Sequence, residues 1–312
     1  MRVVVTGGAG FVGSHVVERL VRDGHDVLVV DNLSTGHKEN LEPAFAMGLP
    51  RERFLVADVT GDAATDAVVA FAPDAMVLLA AQMSVKVSMR DPVLDAEINV
   101  VGLVRMLEAA RRGGCSRVVF ASSGGTIYGS VAESDLPLRE DLPRTPTSFY
   151  GLTKSVAADY LRLYREHHGI DWVALAFGNV YGPRQDAFGE AGVVAIFAER
   201  LVRGLPCVVN GDGATTRDYV HVHDVAEAVE AATRRGHGLV NIGTGVETSV
   251  LEVHRVLAEH LGSAAVPTFG PPLPGEVRRV RLDVTRAGRE LGWRPGISFQ
   301  DGTISLVREA RR

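Results

Sequence analysis

The first half of the chain alternates short apolar runs with longer stretches in which apolar residues recur every three or four positions. Runs that are rich in β-branched and other apolar residues predict buried parallel strands. These runs lie at 3–5, 26–30, 53–57, 75–79, 117–120 and 172–176. The stretches between them, such as 15–22 and 95–112, have the period of an amphipathic helix. This alternation is typical of an α/β fold with a doubly wound parallel sheet.

The alternation ends near residue 178 and gives way to loops and shorter elements. Glycine and proline are frequent at 182–192, 210–213 and 270–275. We therefore expect residues 1–178, with a returning segment near 218–243, to form a Rossmann domain. Residues 179–312 should mainly form a smaller C-terminal substrate-binding lobe. That lobe would close over the carboxyl ends of the strands, where open α/β sheets bind ligands.

Three glycines, Gly7, Gly10 and Gly13, follow the first predicted strand at intervals of three residues. A dinucleotide-binding turn needs glycine where the chain bends sharply, where backbone approaches a pyrophosphate and where helix and strand pack closely. The helix that follows would offer free N–H groups to the phosphates. The second predicted strand ends at Asp31, whose carboxylate would bind the adenosine ribose and repel a 2′-phosphate. These features predict NAD, rather than NADP, as the cofactor.

Tyr150 and Lys154 are four residues apart, so a helix would place them on one face. Alone, such a pair is more often an ordinary pair on a helix surface. Here it follows a strand that runs into Ser122 and Ser123, next to the expected nicotinamide position. A tyrosine hydroxyl has an ordinary pKa of about 10, which a neighbouring ammonium and a cationic nicotinamide would lower. We therefore predict Tyr150 and Lys154 as catalytic residues, with one of the two serines hydrogen-bonding the substrate oxygen.

Composition narrows the class of protein. The chain is 46% hydrophobic and 23% charged, as in ordinary globular proteins. Its net charge is −5, and the acidic and basic residues are interspersed, so no basic surface for a nucleic-acid partner is predicted. We expect no membrane contact, because the sequence has no long apolar run. We expect a cytoplasmic protein, because the start of the sequence lacks a signal-peptide pattern and the two cysteines are isolated. His221 and His223 alternate along an expected strand without a third ligand, so no metal site is predicted.

Several motifs together resemble those of the extended short-chain dehydrogenases/reductases, over nearly the whole chain. They are Thr6-Gly-Gly-Ala-Gly-Phe-Val-Gly13, Ala80-Ala81, Ser122-Ser123, Tyr150-x-x-x-Lys154 and Asn179-Val-Tyr-Gly-Pro-Arg184. Further motifs, among them Arg217-Asp-Tyr-Val220 and Asn241-Ile-Gly-Thr-Gly245, resemble the nucleotide-sugar epimerases of that family. Within this group the chain is most similar to the bacterial UDP-glucose 4-epimerases.

The resemblance implies a transient oxidation of a UDP-hexose. Tyr150 would take the proton of the sugar 4-hydroxyl while the C4 hydride passes to NAD, and the 4-keto sugar would turn over and regain the hydride on its other face. The implied cofactor-binding residues are Gly7, Gly10, Phe11, Val12, Gly13, Asp31, Asn32, Ser34, Thr35, Gly36, Asp58, Val59, Leu79, Ala80, Ala81, Gln82, Asn99, Ser122, Tyr150, Lys154, Phe177 and Gly178. The implied substrate-binding residues are Ser123, Tyr150, Asn179, Val193, Val194, Asn210, Arg217 and Val280. Relatives commonly pair through two helices, which implies a homodimer.

Two positions bear on the substrate. Leu273 stands where relatives often carry a second phosphate-binding arginine, and the candidate substitutes for that arginine are Arg278 and Arg279. Val280 matches a gatekeeper position on the wall of the sugar pocket. Its small side chain predicts that UDP-N-acetylglucosamine fits as well as UDP-glucose, unless Val280 packs in the core.

Alternative functions remain open from the sequence. The sugar could be glucose, glucuronate or N-acetylglucosamine, and uridine is implied by the resemblance alone. A 4,6-dehydratase is disfavoured, because similar dehydratases carry Asp-Glu where this chain has Gly124-Gly-Thr-Ile-Tyr128. A non-catalytic NAD-sensing protein is also disfavoured, because it would have no reason to retain Tyr150, Lys154 and the serines.

Overall fold

The computed structural model describes residues 1–187, 192–272 and 277–310. Its strands are β1 (Arg2–Thr6), β2 (Asp26–Asp31), β3 (Phe54–Val56), β4 (Ala75–Leu78), β5 (Arg117–Ser123), β6 (Asp171–Phe177), β7 (Asn179–Tyr181), β8 (Val208–Asn210), β9 (Thr216–His221), β10 (Gly238–Ile242), β11 (Glu247–Ser249) and β12 (Thr268–Gly270). Its α-helices are α1 (Phe11–Arg22), α2 (Glu42–Ala46), α3 (Asp62–Phe71), α4 (Val85–Arg90), α5 (Pro92–Ala96), α6 (Gly102–Arg112), α7 (Phe149–His168), α8 (Val193–Val202), α9 (Val222–Ala232), α10 (Val250–Leu261), α11 (Thr285–Leu291) and α12 (Phe299–Ala310). A π-helical turn, Glu97–Val101, joins α5 to α6.

Seven strands form one parallel sheet in the order β10-β6-β5-β4-β1-β2-β3. All six strands predicted from the apolar runs belong to it, and β10 extends one edge. Val3 and Val5 pack on one face with side chains of α1, α9 and α11, whereas Val4 packs on the other face with α3, α6 and α7. Because successive residues of a strand point to opposite faces, a sheet covered on both sides needs continuous apolar runs. The predicted doubly wound α/β fold is confirmed.

The elements that lie outside the large sheet and its covering helices, which we call the lobe, all follow β6 along the chain. The lobe contains a three-stranded sheet, β11-β9-β7, and a two-stranded sheet, β12-β8. Helices α8, α10 and α12 contribute to its core, which includes Phe197, Val209 and Leu257. The chain returns to the large sheet through α9 and β10, whereas β9 lies in the sheet of the lobe. The proposed limits of the two domains stay a prediction.

Two predicted elements differ in the structure. Strand β5 continues to Ser123, because its last residues still pair with β6. His221 and His223 do not share a strand, since His221 ends β9 and its Nδ1 accepts a hydrogen bond, 3.3 Å long, from the His223 N–H at the start of α9. Within the described ranges, neither a helix able to cross a membrane nor a group of three metal-binding side chains occurs.

Candidate active site

The strand order reverses between β1 and β4, which leaves a crevice at their carboxyl ends. The two ends are joined by hydrogen bonds from the Leu79 N–H to the Thr6 carbonyl oxygen (3.1 Å) and from the Ala80 N–H to Thr6 Oγ1 (3.4 Å). A small cavity at this point is lined by Thr6, Val59, Leu78, Ala80, Asn99 and Lys154, among others. The fold therefore brings the predicted cofactor residues and Lys154, the predicted catalytic lysine, to one place.

Gly7, in the turn between β1 and α1, and Gly13, in the first part of α1, have no room for a side chain. Gly7 has a φ of +71°, and a Cβ on it would lie 2.6 Å from the Ala80 nitrogen. A Cβ on Gly13 would lie 2.0 Å from the Gly7 carbonyl oxygen. Among the described side chains, none caps α1 after Gly10, so the N–H groups of the turn that starts at Phe11 are available to phosphates. This cradle fits the pyrophosphate of NAD.

Asp31 lies at the end of β2, against the glycine-rich turn. Its Oδ2 accepts a hydrogen bond from the Ala9 N–H (2.9 Å) and its Oδ1 accepts one from the Leu33 N–H (2.8 Å). The loop that contains the predicted residues 32–36 wraps around this turn, and the His37 N–H donates to the Ala9 carbonyl oxygen at 3.0 Å. Each carboxylate oxygen keeps a further lone pair. Asp31 can therefore hold the turn through these two hydrogen bonds and still accept hydrogen bonds from a ribose.

Asp58 follows β3 and continues the same surface. Asn32 donates to its Oδ2 at 2.7 Å, and the Thr60 hydroxyl and N–H donate to its Oδ1 at 2.6 and 2.8 Å. Burial alone would raise the pKa of Asp58, but these hydrogen bonds outweigh it and hold the pKa below its ordinary value. Asp58 is therefore an ionised acceptor, as an adenine amino group requires. The neighbouring Val59 packs in the core beneath it.

The helix that carries Tyr150 is fixed at its first turn. Ser148 caps α7 by accepting a hydrogen bond from the Gly151 N–H at 3.1 Å. A Cβ on Gly151 would lie 2.8 Å from the carbonyl oxygen of Thr126, so the helix touches the loop after β5 at this residue. The close approach sets Tyr150 against the end of β5. Sequence reasoning missed Gly151, although a glycine next to the predicted catalytic tyrosine was a possible sign of such contact.

Lys154 and the two serines have distinct partners. Lys154 Nζ donates to the Ala121 carbonyl oxygen at 3.0 Å and lies 5.8 Å from the centre of the Tyr150 ring. The Ser123 side chain interacts with the Tyr150 phenol and lowers the pKa of that phenol. Ser122 is buried, and its hydroxyl donates to the Lys154 carbonyl oxygen at 3.3 Å. Ser123 thus faces the phenol, whereas the helix backbone engages Ser122.

Burial controls the protonation of this pair. It raises the pKa of Tyr150 to about 12, although the interaction with Ser123 opposes the change and the charge of Asp95 adds to it. Burial lowers the pKa of Lys154 to about 8, against the influence of Asp95. Tyr150 therefore holds its proton in the structure as it stands. The predicted role of Tyr150 as a base would therefore require additional positive charge close by, such as that of an oxidised nicotinamide.

The remaining cofactor residues lie around the same crevice. The Gln82 N–H donates to Asn99 Oδ1, and Asn99 Nδ2 donates back to the Gln82 carbonyl oxygen, both at 2.9 Å. Asn99 lies in the π-helical turn, an irregularity that is frequent at functional sites. Phe177 ends β6, and Gly178 joins that strand to β7.

Asn179 lies near the end of β5, and Arg217 lies on β9, which pairs with the strand that Asn179 opens. Asn179 opens β7, and a Cβ on Gly125, in the loop after β5, would lie 3.8 Å from its Oδ1. The residue that follows Arg217 on β9, Asp218, is fully buried. Asp218 accepts hydrogen bonds from the backbone N–H groups of Thr244 (2.6 Å), Gly245 (2.9 Å) and Leu282 (3.1 Å). This aspartate, which sequence reasoning did not single out, fixes the strand that carries Arg217.

Val193 and Val194 open α8, and the helix N-terminus after Gly192 has no cap from the described side chains. The Val194 side chain packs in the core of the lobe, so only its backbone N–H can face a ligand. Asn210 ends the short strand β8 and is exposed.

The structure does not support Val280 as the wall of the sugar pocket. Its side chain is 2% exposed and packs with Ile127, Leu138 and Leu282, because it faces the core between the lobe and the loop after β5. Core packing is thus the better interpretation of its small size. The prediction about N-acetylated sugars loses its structural basis.

Leu273 lies outside the described residues, so its own surroundings are not described. Of its two suggested substitutes, Arg279 binds Glu247 at 2.7 Å and Glu133 at 3.1 Å, and Arg278 contacts Asp212 at 3.4 Å. Both guanidinium groups are engaged by carboxylates. The structure therefore gives neither of them as a ready phosphate ligand.

The family model described as "NAD dependent epimerase/dehydratase family" matches residues 3–243. The chain belongs to this family, which confirms the resemblance and NAD as the cofactor.

Individual relatives are similar over their whole length. The chain is 46% identical to a UDP-glucose 4-epimerase from Mycolicibacterium smegmatis, over 98% of this chain and 97% of that one. A UDP-glucose 4-epimerase from Thermotoga maritima, crystallised with UDP-glucose, superposes with a TM-score of 0.94 at 40% identity, covering 100% of this chain and 99% of that one. The Thermus thermophilus UDP-glucose 4-epimerase in complex with NAD gives a TM-score of 0.91 at 44% identity, with the same coverage.

Proposed function

We propose that the protein is an NAD-dependent 4-epimerase of UDP-hexoses that interconverts UDP-glucose and UDP-galactose. The observation that carries the proposal is the placement of Ser123, Tyr150 and Lys154 beside the glycine-rich cradle, at the switch point of the sheet. The relatives named above support the choice of sugar nucleotide, since they are UDP-glucose 4-epimerases and the similarity extends over nearly their full length.

Tyr150 is the proton carrier of the proposed reaction. Once the positive charge of bound NAD has favoured loss of its own proton to solvent, the Tyr150 phenolate would accept the proton of the sugar 4-hydroxyl. The resulting phenol would return that proton to the 4-keto oxygen, while Ser123 holds the same oxygen by a hydrogen bond. Bound NAD supplies the acceptor and the donor of the C4 hydride. Lys154 contributes a positive charge that favours the phenolate, and its hydrogen bond to the Ala121 carbonyl oxygen keeps its ammonium beside the ring.

The lobe holds the nucleotide diphosphate while the sugar turns. The planar guanidinium of Arg217 can bind two phosphate oxygens at once. The uncapped N-terminus of α8 offers the N–H groups of Val193 and Val194, and Asn179 and Asn210 supply amide groups. Because these contacts involve the diphosphate and nucleoside, both faces of the 4-keto sugar can be presented in turn.

The experiment is incubation of the purified protein with UDP-galactose and, separately, UDP-glucose, with products separated by chromatography. We expect the same equilibrium mixture from either side, restored in cofactor-free protein by NAD and not by NADP. No interconversion by NAD-loaded protein would contradict the proposal, and a product that has lost water would instead identify a dehydratase. UDP-glucuronate and UDP-N-acetylglucosamine in parallel reactions define the range of sugars.

We also propose a homodimer formed through the outer surfaces of α4, α5 and α7. Large apolar side chains are exposed there, including Met89 (54%), Val93 (65%) and Leu152 (51%). Such a patch on a globular protein commonly marks an interface.

For the location we propose the cytoplasm, because Cys115 and Cys207 are free, buried thiols.

The patch predicts a specific effect of charge on assembly. Val93→Glu combined with Leu152→Glu should convert the dimer into a monomer, because charges would be buried in the interface. Light scattering after gel filtration measures the change. The control is Val266→Glu, at an apolar residue of the lobe that is 78% exposed. A dimer that survives the double substitution would place the interface elsewhere.

A further inference from the structure

Asp95, which sequence reasoning did not single out, is a fully buried carboxylate next to the proposed catalytic residues. It lies near the end of α5, just before the π-helical turn, and is 0% exposed. Its Oδ1 accepts hydrogen bonds from Gln82 Nε2 (2.7 Å) and Asn99 Nδ2 (3.1 Å), and its Oδ2 accepts one from Thr153 Oγ1 (3.0 Å). All three donors are neutral. Burial of an uncompensated charge lowers the stability of a protein. A neutral amide at this position could serve a purely structural role with a smaller loss of stability.

Each partner of Asp95 belongs to a different part of the active site. Gln82 lies in the loop after β4 and is paired with Asn99 through two backbone–side-chain hydrogen bonds. Thr153 lies on α7, directly before Lys154, and its hydroxyl is also 3.0 Å from the Tyr150 carbonyl oxygen. One carboxylate therefore connects the loop after β4, the π-helical turn and the catalytic helix.

The charge of Asp95 also reaches the catalytic pair. Lys154 Nζ donates to a neutral carbonyl oxygen, that of Ala121, and faces the Phe120 ring at 4.8 Å from its centre. Among the described titratable groups, Asp95 is the one whose charge acts on both Tyr150 and Lys154, and it raises the pKa of each. This direction follows from electrostatics, since a nearby negative charge favours a cation and disfavours a second anion.

We propose that Asp95 is a positioning residue of the epimerase. Its carboxylate joins Gln82, Asn99 and Thr153 in one hydrogen-bond network, which holds α7 against the loop after β4. It also supplies the negative charge that balances the Lys154 ammonium. The proposal rests on the proposed function. It assigns Asp95 no contact with the substrate.

The test is the pH dependence of kcat in Asp95→Asn. Asparagine keeps the shape and an acceptor for Gln82 and Asn99 but removes the charge, so the pKa values of Tyr150 and Lys154 should both fall. The acid limb, set by deprotonation of Tyr150, and the alkaline limb, set by loss of the Lys154 proton, should therefore both move to lower pH, by about one unit. A merely structural role would lower kcat without moving the limbs.

Two further variants separate position from charge. Thr153→Val removes the hydroxyl bond to Asp95 and keeps the charge, so kcat should fall, by up to about 100-fold, with both limbs in place. Asp91→Asn is the matched control, because Asp91 is an exposed carboxylate that caps the same helix, and asparagine caps equally well. It should behave as the wild type.

The outcomes are decisive in each case. Unchanged limbs in folded Asp95→Asn overturn the proposal, and if that variant does not fold, a wild-type kcat in Thr153→Val overturns it. Absence of epimerase activity in the unmodified protein would instead refute the proposed function, so the two failures are distinguishable.

Discussion

Tyr150→Phe should lower kcat by about 10²- to 10⁴-fold and leave the fold and the bound NAD intact. The substitution removes one oxygen atom, and with it the proposed proton carrier and the interaction with Ser123. The ring remains, so the contact of α7 with the loop after β5, which is made at Gly151, is preserved. Initial rates with UDP-galactose measure the effect, and release of cofactor from denatured protein measures the NAD content.

The matched control is Tyr160→Phe, because Tyr160 lies on the same helix but packs against the core on the far side of the sheet from the glycine-rich turn. It should retain wild-type turnover. Full activity in Tyr150→Phe would refute the proposed mechanism, even though the assignment to the family would stand.

Gly13→Ala should weaken NAD binding by about tenfold or more through the addition of one methyl group. The new Cβ would lie 2.0 Å from the Gly7 carbonyl oxygen and 2.8 Å from Gly8 Cα, and neither backbone atom can move without opening the turn. Overpacking costs typically 1–3 kcal/mol, so NAD affinity should fall by about tenfold or more. Calorimetric titration of cofactor-free protein with NAD measures it.

Gly288→Ala provides the control for this substitution. Gly288 lies in α11, where the nearest atom to a new Cβ would be 3.8 Å away. Alanine is the better helix former, so NAD binding should be unchanged and stability equal or slightly higher. Wild-type NAD affinity in Gly13→Ala would show that the pyrophosphate does not use this turn.

Much of the site could be predicted from short patterns. The spacing of Gly7, Gly10 and Gly13 predicts the cradle, because each glycine meets a local demand of a strand–turn–helix unit. The interval between Tyr150 and Lys154 likewise predicts a shared helix face. Asp31 was found because the end of the second strand is fixed relative to that cradle.

Other residues have no local pattern that reveals them. Asp95 is an acid within an ordinary amphipathic stretch, and its partners lie 13, 4 and 58 residues away along the chain. The position of Val280 in a family pattern does not fix the direction of its side chain, and only the folded chain shows that this side chain is buried. Ser122 and Ser123 are chemically alike, and only their different partners in the folded chain distinguish them.

The sequence by itself determined the α/β class, the order in which the strands occur along the chain and NAD as the cofactor, and it predicts Tyr150 as the proton carrier. These conclusions depend on periodicity and spacing within single elements. The tertiary structure decided which serine faces Tyr150, that Val280 packs in the core, and that Asp95 joins three segments beside the catalytic pair. The physical reason is that burial and hydrogen bonding are set by residues distant in sequence, which meet only when the parallel strands assemble and their carboxyl ends converge.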